Sequence, residues 1–252
     1  MTDKAKTDLQ KHIRCRVGDV APYVLLPGDP ARAERIAKSF ETAELISRHR
    51  EYTIFTGKTK QGTAITVCST GIGGPSSAIA IEELAKVGAS HFIRVGSAGG
   101  RQPEIPIGAV VIVTGAFRGD GTSQAYLPLA FPAVADLDIT IALKGAAKTK
   151  NQESFTGIAY TRDAFYRRDE ALSKQLTEAG VVAAEMECSS LFIAGSVLGL
   201  KVGAVLGTDS NIWLKEQPNL AEKERRYREA EKRAIDVAIE AVDILHKGKS
   251  NA

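Results

Sequence analysis

The sequence predicts an α/β fold, a mostly parallel sheet flanked by helices, and three observations carry that expectation. Short apolar runs rich in Val and Ile alternate with segments of helical periodicity along nearly the whole chain. Glycine-rich turns close three of those runs, at Leu25-Leu26-Pro27-Gly28-Asp29-Pro30, Cys68-Ser69-Thr70-Gly71-Ile72-Gly73-Gly74-Pro75 and Phe92-Ile93-Arg94-Val95-Gly96-Ser97-Ala98-Gly99-Gly100. Pro30 and Pro75 stand where a helix takes its first residue, a position whose N–H has no helical partner and which therefore tolerates proline.

Taken in order, the apolar runs place strands at 22–27, 63–68, 91–96, 108–114, 181–186 and 202–207. Helices are expected at 30–39, at 75–87 up to Gly88, at about 134–148, at 163–178, at 188–198 up to Gly199, and at 220–246. The stretch 115–133, with its Gly, Pro and aromatic residues, is expected to be irregular and suits a site or interface loop better than a domain boundary. In the last helix ten of the twelve residues from Glu222 to Arg233 are charged, which predicts a solvated first half. Ile235, Ile239, Val242 and Leu245 recur at helical spacing and predict a packed second half. With no repeat, low-complexity tract or linker, the 252 residues read as one domain, 1–252.

Composition excludes several classes of partner. Lys and Arg number 33 against 30 Asp and Glu, an interspersed balance of +3 that offers no electrostatic footprint for nucleic acid or an anionic membrane. Small molecules are the expected partners. The stretch Met1 to Asp8 is polar, and no apolar run approaches the ~20 residues of a membrane span. Cys15, Cys68 and Cys188 are odd in number and far apart, which fits buried thiols in a reducing cytoplasm rather than a disulfide framework.

The three turns together describe an anion pocket, because glycine lets backbone N–H groups approach a ligand and a helix N-terminus attracts negative charge. Arg32 and Arg94 are placed to supply countercharge, which points to phosphate or a phosphate-bearing substrate. The second turn, Gly71-Ile72-Gly73-Gly74-Pro75-Ser76, nearly spells a dinucleotide fingerprint but has Ser76 at the last glycine position and occurs late in the chain, which argues against a nicotinamide cofactor. Glu185 and Glu187, two apart at the end of an apolar strand, share a face and can grip hydroxyls. Asp209 follows the run Val202 to Gly207 at the strand end where open α/β sheets bind ligands; it is a candidate general acid or a turn-capping residue. His12, His49, His91 and His246 have no metal-ligand spacing, and no Gly-x-Ser-x-Gly elbow is present.

The segments Pro27-Gly28-Asp29-Pro30-Ala31-Arg32, Ser69-Thr70-Gly71-Ile72-Gly73-Gly74-Pro75-Ser76, Arg94-Val95-Gly96-Ser97-Ala98-Gly99 and Glu185-Met186-Glu187, in this order, resemble those of the bacterial-type nucleoside phosphorylases, the purine and uridine phosphorylase superfamily. The resemblance spans nearly the whole chain. It implies a single-domain fold with a mixed, mostly parallel sheet, assembled as dimers, often three of them in a hexamer with sites shared between subunits. It also implies reversible phosphorolysis of a nucleoside to free base and ribose 1-phosphate, with inorganic phosphate as co-substrate and no metal or organic cofactor.

Carried over by position, Gly28, Arg32, Arg94 and Ser97 would hold phosphate, and Arg50 would reach into a neighbouring subunit's phosphate site. His12 would cross the same interface to the sugar 5′-hydroxyl, Glu187 would bind the ribose hydroxyls, and Met186 would pack under the sugar. Phe165, Glu185 and Asp209 are the expected base-facing residues, with Asp209 protonating the leaving base.

Base choice follows from two departures. Uridine phosphorylases read uracil with a Gln and an Arg just after a Phe-Tyr pair, and here Asp169 and Ala171 occupy those places in Phe165-Tyr166-Arg167-Arg168-Asp169-Glu170-Ala171, with Arg167 or Arg168 the side chain that would compensate by another route. Gly207-Thr208-Asp209-Ser210 resembles the purine enzymes' aspartate segment, so purine nucleosides are the expected substrates and uridine the alternative. A methylthioadenosine phosphorylase and a non-catalytic nucleoside-binding protein are further alternatives. The segment Ser210-Asn211-Ile212-Trp213 differs from the enteric purine enzymes, Trp213 is expected either to wall the base pocket or to pack in the core, and Arg225, Arg226 and Arg228 are candidates for a helper arginine at the base.

Overall fold

The computed structural model describes residues 8–250; the polar stretch before Asp8 lies outside them. The elements run β1 (Tyr23–Leu26), α1 (Pro30–Ala37), β2 (Thr42–His49), β3 (Tyr52–Lys58), β4 (Ala64–Cys68), α2 (Gly74–Lys86), β5 (His91–Gly100), β6 (Val110–Gly119) and α3 (Gly121–Tyr126). They continue with β7 (Ala133–Val134), α4 (Leu137–Thr149), β8 (Ser154–Arg162), α5 (Glu170–Glu178), β9 (Ala183–Glu185), α6 (Cys188–Leu198), β10 (Lys201–Asn211) and α7 (Leu220–Ser250). No helix among the described residues is long and apolar enough to cross a membrane.

One 10-stranded mixed sheet carries the chain in the order β10-β6-β8-β9-β5-β1-β4-β3-β2, with β7 beside β6. β10 also pairs with β5 along its whole length, so β5, β9, β8, β6 and β10 close into a ring from which β1, β4, β3 and β2 extend. Parallel pairing joins β1 to β4 and β5, β5 to β10, and β8 to β6 and β9, whereas β2, β3 and β4 are antiparallel neighbours. Alternate residues of each central strand feed opposite faces. Tyr23 and Leu25 pack with Ile36, Leu143, Val237 and Val242 under α1, α4 and α7. Val24 and Leu26 pack with Ile81, Leu84, Leu191 and Phe192 under α2 and α6. Complete burial of Leu25, at 0% exposure, is worth about 1.5–3 kcal/mol over leaving it in water.

Several sequence expectations need correction. The helix expected from residue 134 starts at Leu137, because Ala135 N–H and Asp136 N–H are taken by Thr114 and Val202 carbonyls and the Asp136 carboxylate then caps Ile139 at 3.0 Å. The helix expected from 163 starts at Glu170, where Asp169 caps Leu172 at 2.9 Å. The stretch 115–133 is not irregular throughout: β6 runs on to Gly119 and α3 follows it. β2, β3 and β8 were absent from the expected strands. β2 is an edge strand with mostly exposed residues, so it lacks a buried apolar period. The first half of α7 is not simply solvated, since Ala230 and Glu231 are buried. All three thiols are buried as expected, and burial pushes Cys15 up to about 12.

Glu231 clamps α7 onto α1. Its carboxylate accepts from Arg32 Nε at 2.8 Å and from Arg35 Nε at 2.6 Å. Burial raises its pKa, but Arg35 and Arg32 outweigh that and hold it at about 2 against the usual 4.5. The ionised carboxylate therefore stabilises the fold fully above about pH 4.5, and that contribution is lost as pH falls toward 2. Glu231→Gln should lower stability at pH 7 by about 3–5 kcal/mol, because buried Arg32 loses its carboxylate and Arg35 and Arg228 each lose one ion pair. In urea titrations the gap to wild type should narrow between pH 4.5 and 2; a gap constant over that range would exclude the ion pairs as its source.

Two glycines should respond with opposite signs. A Cβ on Gly57 would meet the Thr42 carbonyl oxygen at 1.7 Å, which the β2–β3 pairing cannot absorb, whereas on Gly145 the nearest neighbour is Ile244 Cδ1 at 3.8 Å. Gly57→Ala should cost about 1–3 kcal/mol, and Gly145→Ala, inside α4, should gain about 0.5–1 kcal/mol. Denaturation midpoints of the two variants check both signs.

Candidate active site

Two of the expected glycine-rich turns lie at the C-terminal ends of β1 and β4, whereas the third is no turn: Gly96 to Gly100 continue β5, paired with β10, because the partner strand keeps their backbone in the ladder. Thr70 N–H donates to the Pro27 carbonyl at 2.8 Å and Gly71 N–H to the Gly28 carbonyl at 2.9 Å, so the first two turns are zipped together. A Cβ on Gly28 would lie 3.1 Å from the Gly71 oxygen, and Gly71 and Gly73 have φ of +70° and +96°, conformations that favour glycine. Their free N–H groups are fewer than the sequence suggests. The Asp29 carboxylate already accepts from Ala31 N–H and Arg32 N–H, and Gly73 N–H donates to Glu187 Oε1 at 2.6 Å. An anion here is met chiefly by side chains rather than by helix N-termini.

Arg94 is the most deeply held of those side chains, with 4% side-chain exposure. Its Nε donates to Glu185 Oε2 at 3.0 Å and its Nη2 lies 2.5 Å from Glu187 Oε2. Burial works against the Arg94 charge, but Glu187 and Glu185 outweigh it and raise its pKa above the usual arginine value. Glu187 is raised by its burial, against the pull of Arg94. Glu185 Oε2 also accepts from Glu187 N–H at 2.8 Å and Cys188 N–H at 2.9 Å, and Oε1 accepts the Thr161 hydroxyl at 2.5 Å. Three of these four donors fall on Oε2, so the carboxylate organises Arg94 and the Glu185–Cys188 turn. Glu187 keeps acceptor capacity on both oxygens, one donor being fixed on each.

Arg32 donates Nη1 to the Val95 carbonyl at 3.1 Å and Nη2 to the Tyr227 hydroxyl, in addition to its pair with Glu231. Asp209 is the residue left over where the β10–β5 register shifts between Thr208 and Ser210, a β-bulge that turns its side chain out of the ladder. Burial raises its pKa, partly offset by the Ser210 hydroxyl at 2.7 Å, so the protonated form is favoured more than in an ordinary aspartate.

A cavity of about 1060 Å³ collects Gly28, Arg32, Arg94, Ser97, Phe165, Glu185, Met186, Glu187 and Asp209. The structure does not bring His12 or Arg50 to it. His12 Nδ1 lies 2.6 Å from Glu83 on α2, and Arg50 sits exposed with φ 54° in the turn between β2 and β3. Of the two places open to Trp213 the structure shows the cavity wall rather than the core: it is 38% exposed, lines the cavity, and its backbone N–H is held by Asn211 at 2.8 Å. Arg225, Arg226 and Arg228 pair with Glu222, Glu229 and Glu231, and none of them lines the cavity. Arg101, Arg162, Tyr166 and Arg168 line it too; the sequence offered no signal for Arg101 or Arg162, whereas Tyr166 and Arg168 lie in the segment compared with the uracil-reading residues.

Similarity to known proteins agrees with this geometry. The profile of the phosphorylase superfamily matches residues 22–243. A uridine phosphorylase of Treponema pallidum is 42% identical over 250 residues, covering 95% of each chain. A guanosine phosphorylase of Halorubrum lacusprofundi is 36% identical, covering 94% of this chain and 99% of its own. The crystal structure of uridine phosphorylase from Vibrio fischeri superposes with a TM-score of 0.87 at 36% identity, covering 94% of this chain and 98% of that one. The motif order, the architecture and these matches agree: the chain belongs to the phosphorylase superfamily.

Proposed function

We propose that the protein catalyses reversible phosphorolysis of uridine to uracil and ribose 1-phosphate, with inorganic phosphate as co-substrate and no further cofactor. The observation that carries this is the end-to-end match to uridine phosphorylases, 42% identical over 95% of both chains for the Treponema enzyme. It replaces the purine preference expected from Asp169 and Ala171. Those two positions lack the uracil-reading side chains, but Arg162 and Arg168 line the same cavity and offer donors by another route.

In this proposal phosphate is held by Arg32, Arg94, Ser97 and the Gly28 turn, and Glu187 accepts the ribose hydroxyls above Met186. As the C1′–N1 bond lengthens, its electron pair goes to the base and a phosphate oxygen bonds to C1′. Glu187 faces the positive charge building on the ribose, and preformed placement of both substrates supplies much of the rate. His12 and Arg50, outside the cavity of their own chain, serve the site of a second copy in a dimer-based assembly. Three buried thiols suit a reducing compartment, and we assign the reaction to the cytoplasm.

A second reading, phosphorolysis of a 6-oxopurine nucleoside, is favoured by Asp209, whose burial suits it to donate a proton to a purine ring nitrogen, and by the guanosine phosphorylase relative. Base release from uridine, inosine, guanosine and adenosine, each with and without phosphate, separates the two. Phosphate-dependent release from uridine at the highest kcat/KM is expected; faster release from guanosine or inosine would establish the second reading instead.

Site sharing has its own check. Arg50→Ala and Glu187→Gln variants should each be nearly inactive. Unfolded together and refolded as a mixture, they should regain activity, because a mixed pair contains one intact site. No recovery in demonstrably mixed oligomers would refute the sharing.

A further inference from the structure

Arg101 takes no part in the chemistry above, yet it is built like a ligand contact. It follows β5, its backbone N–H is fixed to the Val182 carbonyl at 3.0 Å, and the next residue, Gln102, is tied to Thr177 and Val181, so the root of the side chain is rigid. The residue is only 6% exposed and lines the cavity. Nη2 donates to the Ser173 carbonyl at 3.3 Å, while Nε is buried with no hydrogen-bond partner. Burial and the neighbouring Arg162 both work against its charge, and only Tyr160 works for it; no carboxylate stands beside it. A buried cation next to another cation, with an unmet donor, is costly unless something arrives to accept from it.

The surroundings define what arrives. Phe165, Tyr166 and Trp213 line the same cavity, and flat apolar rings suit a heterocyclic base. Arg162 stands over the Phe165 ring at 5.7 Å and is directed toward that aromatic wall. A guanidinium only donates. The base edge it meets must therefore present an acceptor: uracil and 6-oxopurines carry a carbonyl oxygen where cytosine and adenine carry an exocyclic amino group, which at that position would set donor against donor.

We infer that Arg101, backed by Arg162, is a specificity-determining residue that admits bases with a carbonyl edge and turns away those with an amino edge. The inference rests on the cavity being a nucleoside site but not on uracil being preferred to a purine.

The test uses the full-length chain and two readouts. Calorimetry compares binding of uracil, hypoxanthine, cytosine and adenine in phosphate buffer, and kcat/KM is measured for the matching nucleosides. Wild type should favour the carbonyl bases by about 10-fold or more, and Arg101→Met should lower that ratio by about 10–100-fold with KM for phosphate unchanged. Arg101→Lys should recover part of it. Should Arg101→Met fail to fold, Arg162→Met, at a half-buried residue at the C-terminal end of β8, must lower the same ratio. Equal binding of amino and carbonyl bases by wild type, no binding of any base, or a ratio untouched in the substituted protein would overturn the inference. Failure of the uridine proposal looks different: inosine cleaved in place of uridine, with the carbonyl preference still dependent on Arg101.

Discussion

The arrangement of the cavity depends on one buried charge. Arg94 sits inside the sheet end between Glu185 and Glu187, and the three groups are mutually indispensable: the cation makes two carboxylates tolerable in the interior, and they keep it charged. The net charge of the cluster is −1, so it does not by itself attract phosphate. That task needs the cations of the cavity wall, and Arg32 is itself neutralised in part by Glu231. What the cluster supplies instead is position. Glu187 is fixed from one side by Arg94 and from the other by Gly73 N–H, which leaves its remaining lone pairs in a set direction.

Closure of the sheet explains how residues so far apart in the chain arrive there. β5 lies against β10 along its length and meets β9 at its C-terminal end, so the ends of all three strands converge. Ser97, Glu187 and Asp209 come from those ends or just beyond them. The bulge in β10 adds the last adjustment: a regular ladder would bury or expose Asp209 by strict alternation, and the inserted residue releases it from that alternation. The sheet thus fixes the site as rigid strand ends, while the aromatic wall of Phe165 and Tyr166 comes from the irregular segment between β8 and α5.

What the sequence made legible divides along physical lines. The central strands and the helices begun by Pro30 and Pro75 were readable because burial on both faces and the missing N–H of proline leave local marks. The glycine turns were readable for the same reason, since Gly28, Gly71 and Gly73 answer steric demands within a few ångströms. The β2–β3 hairpin left no such mark, because its edge strand is mostly exposed. Pairings distant in sequence were invisible as well. Arg32 and Glu231 are 199 residues apart, and nothing in the charged run from Glu222 to Arg233 distinguishes the one acid that turns inward. Glu185 was legible as a residue of the site, but only the fold reveals that Thr161, Arg94 and two backbone N–H groups hold its carboxylate.

Charge bookkeeping separates the two ends of the cavity. At the end proposed for sugar and phosphate both arginines have carboxylates: Arg94 has Glu185 and Glu187, and Arg32 has Glu231. In the proposed reaction phosphate would share cations that are already paired, which suits a co-substrate that must bind and leave on every turnover. At the aromatic end the guanidinium of Arg101 has no such partner. The departing base is where negative charge accumulates as the glycosidic bond breaks, and an unpaired cation gains most from a charge that exists only at that stage. Paired cations for the ground state and an unpaired one for the leaving group give the cavity an electrostatic gradient along the reaction coordinate.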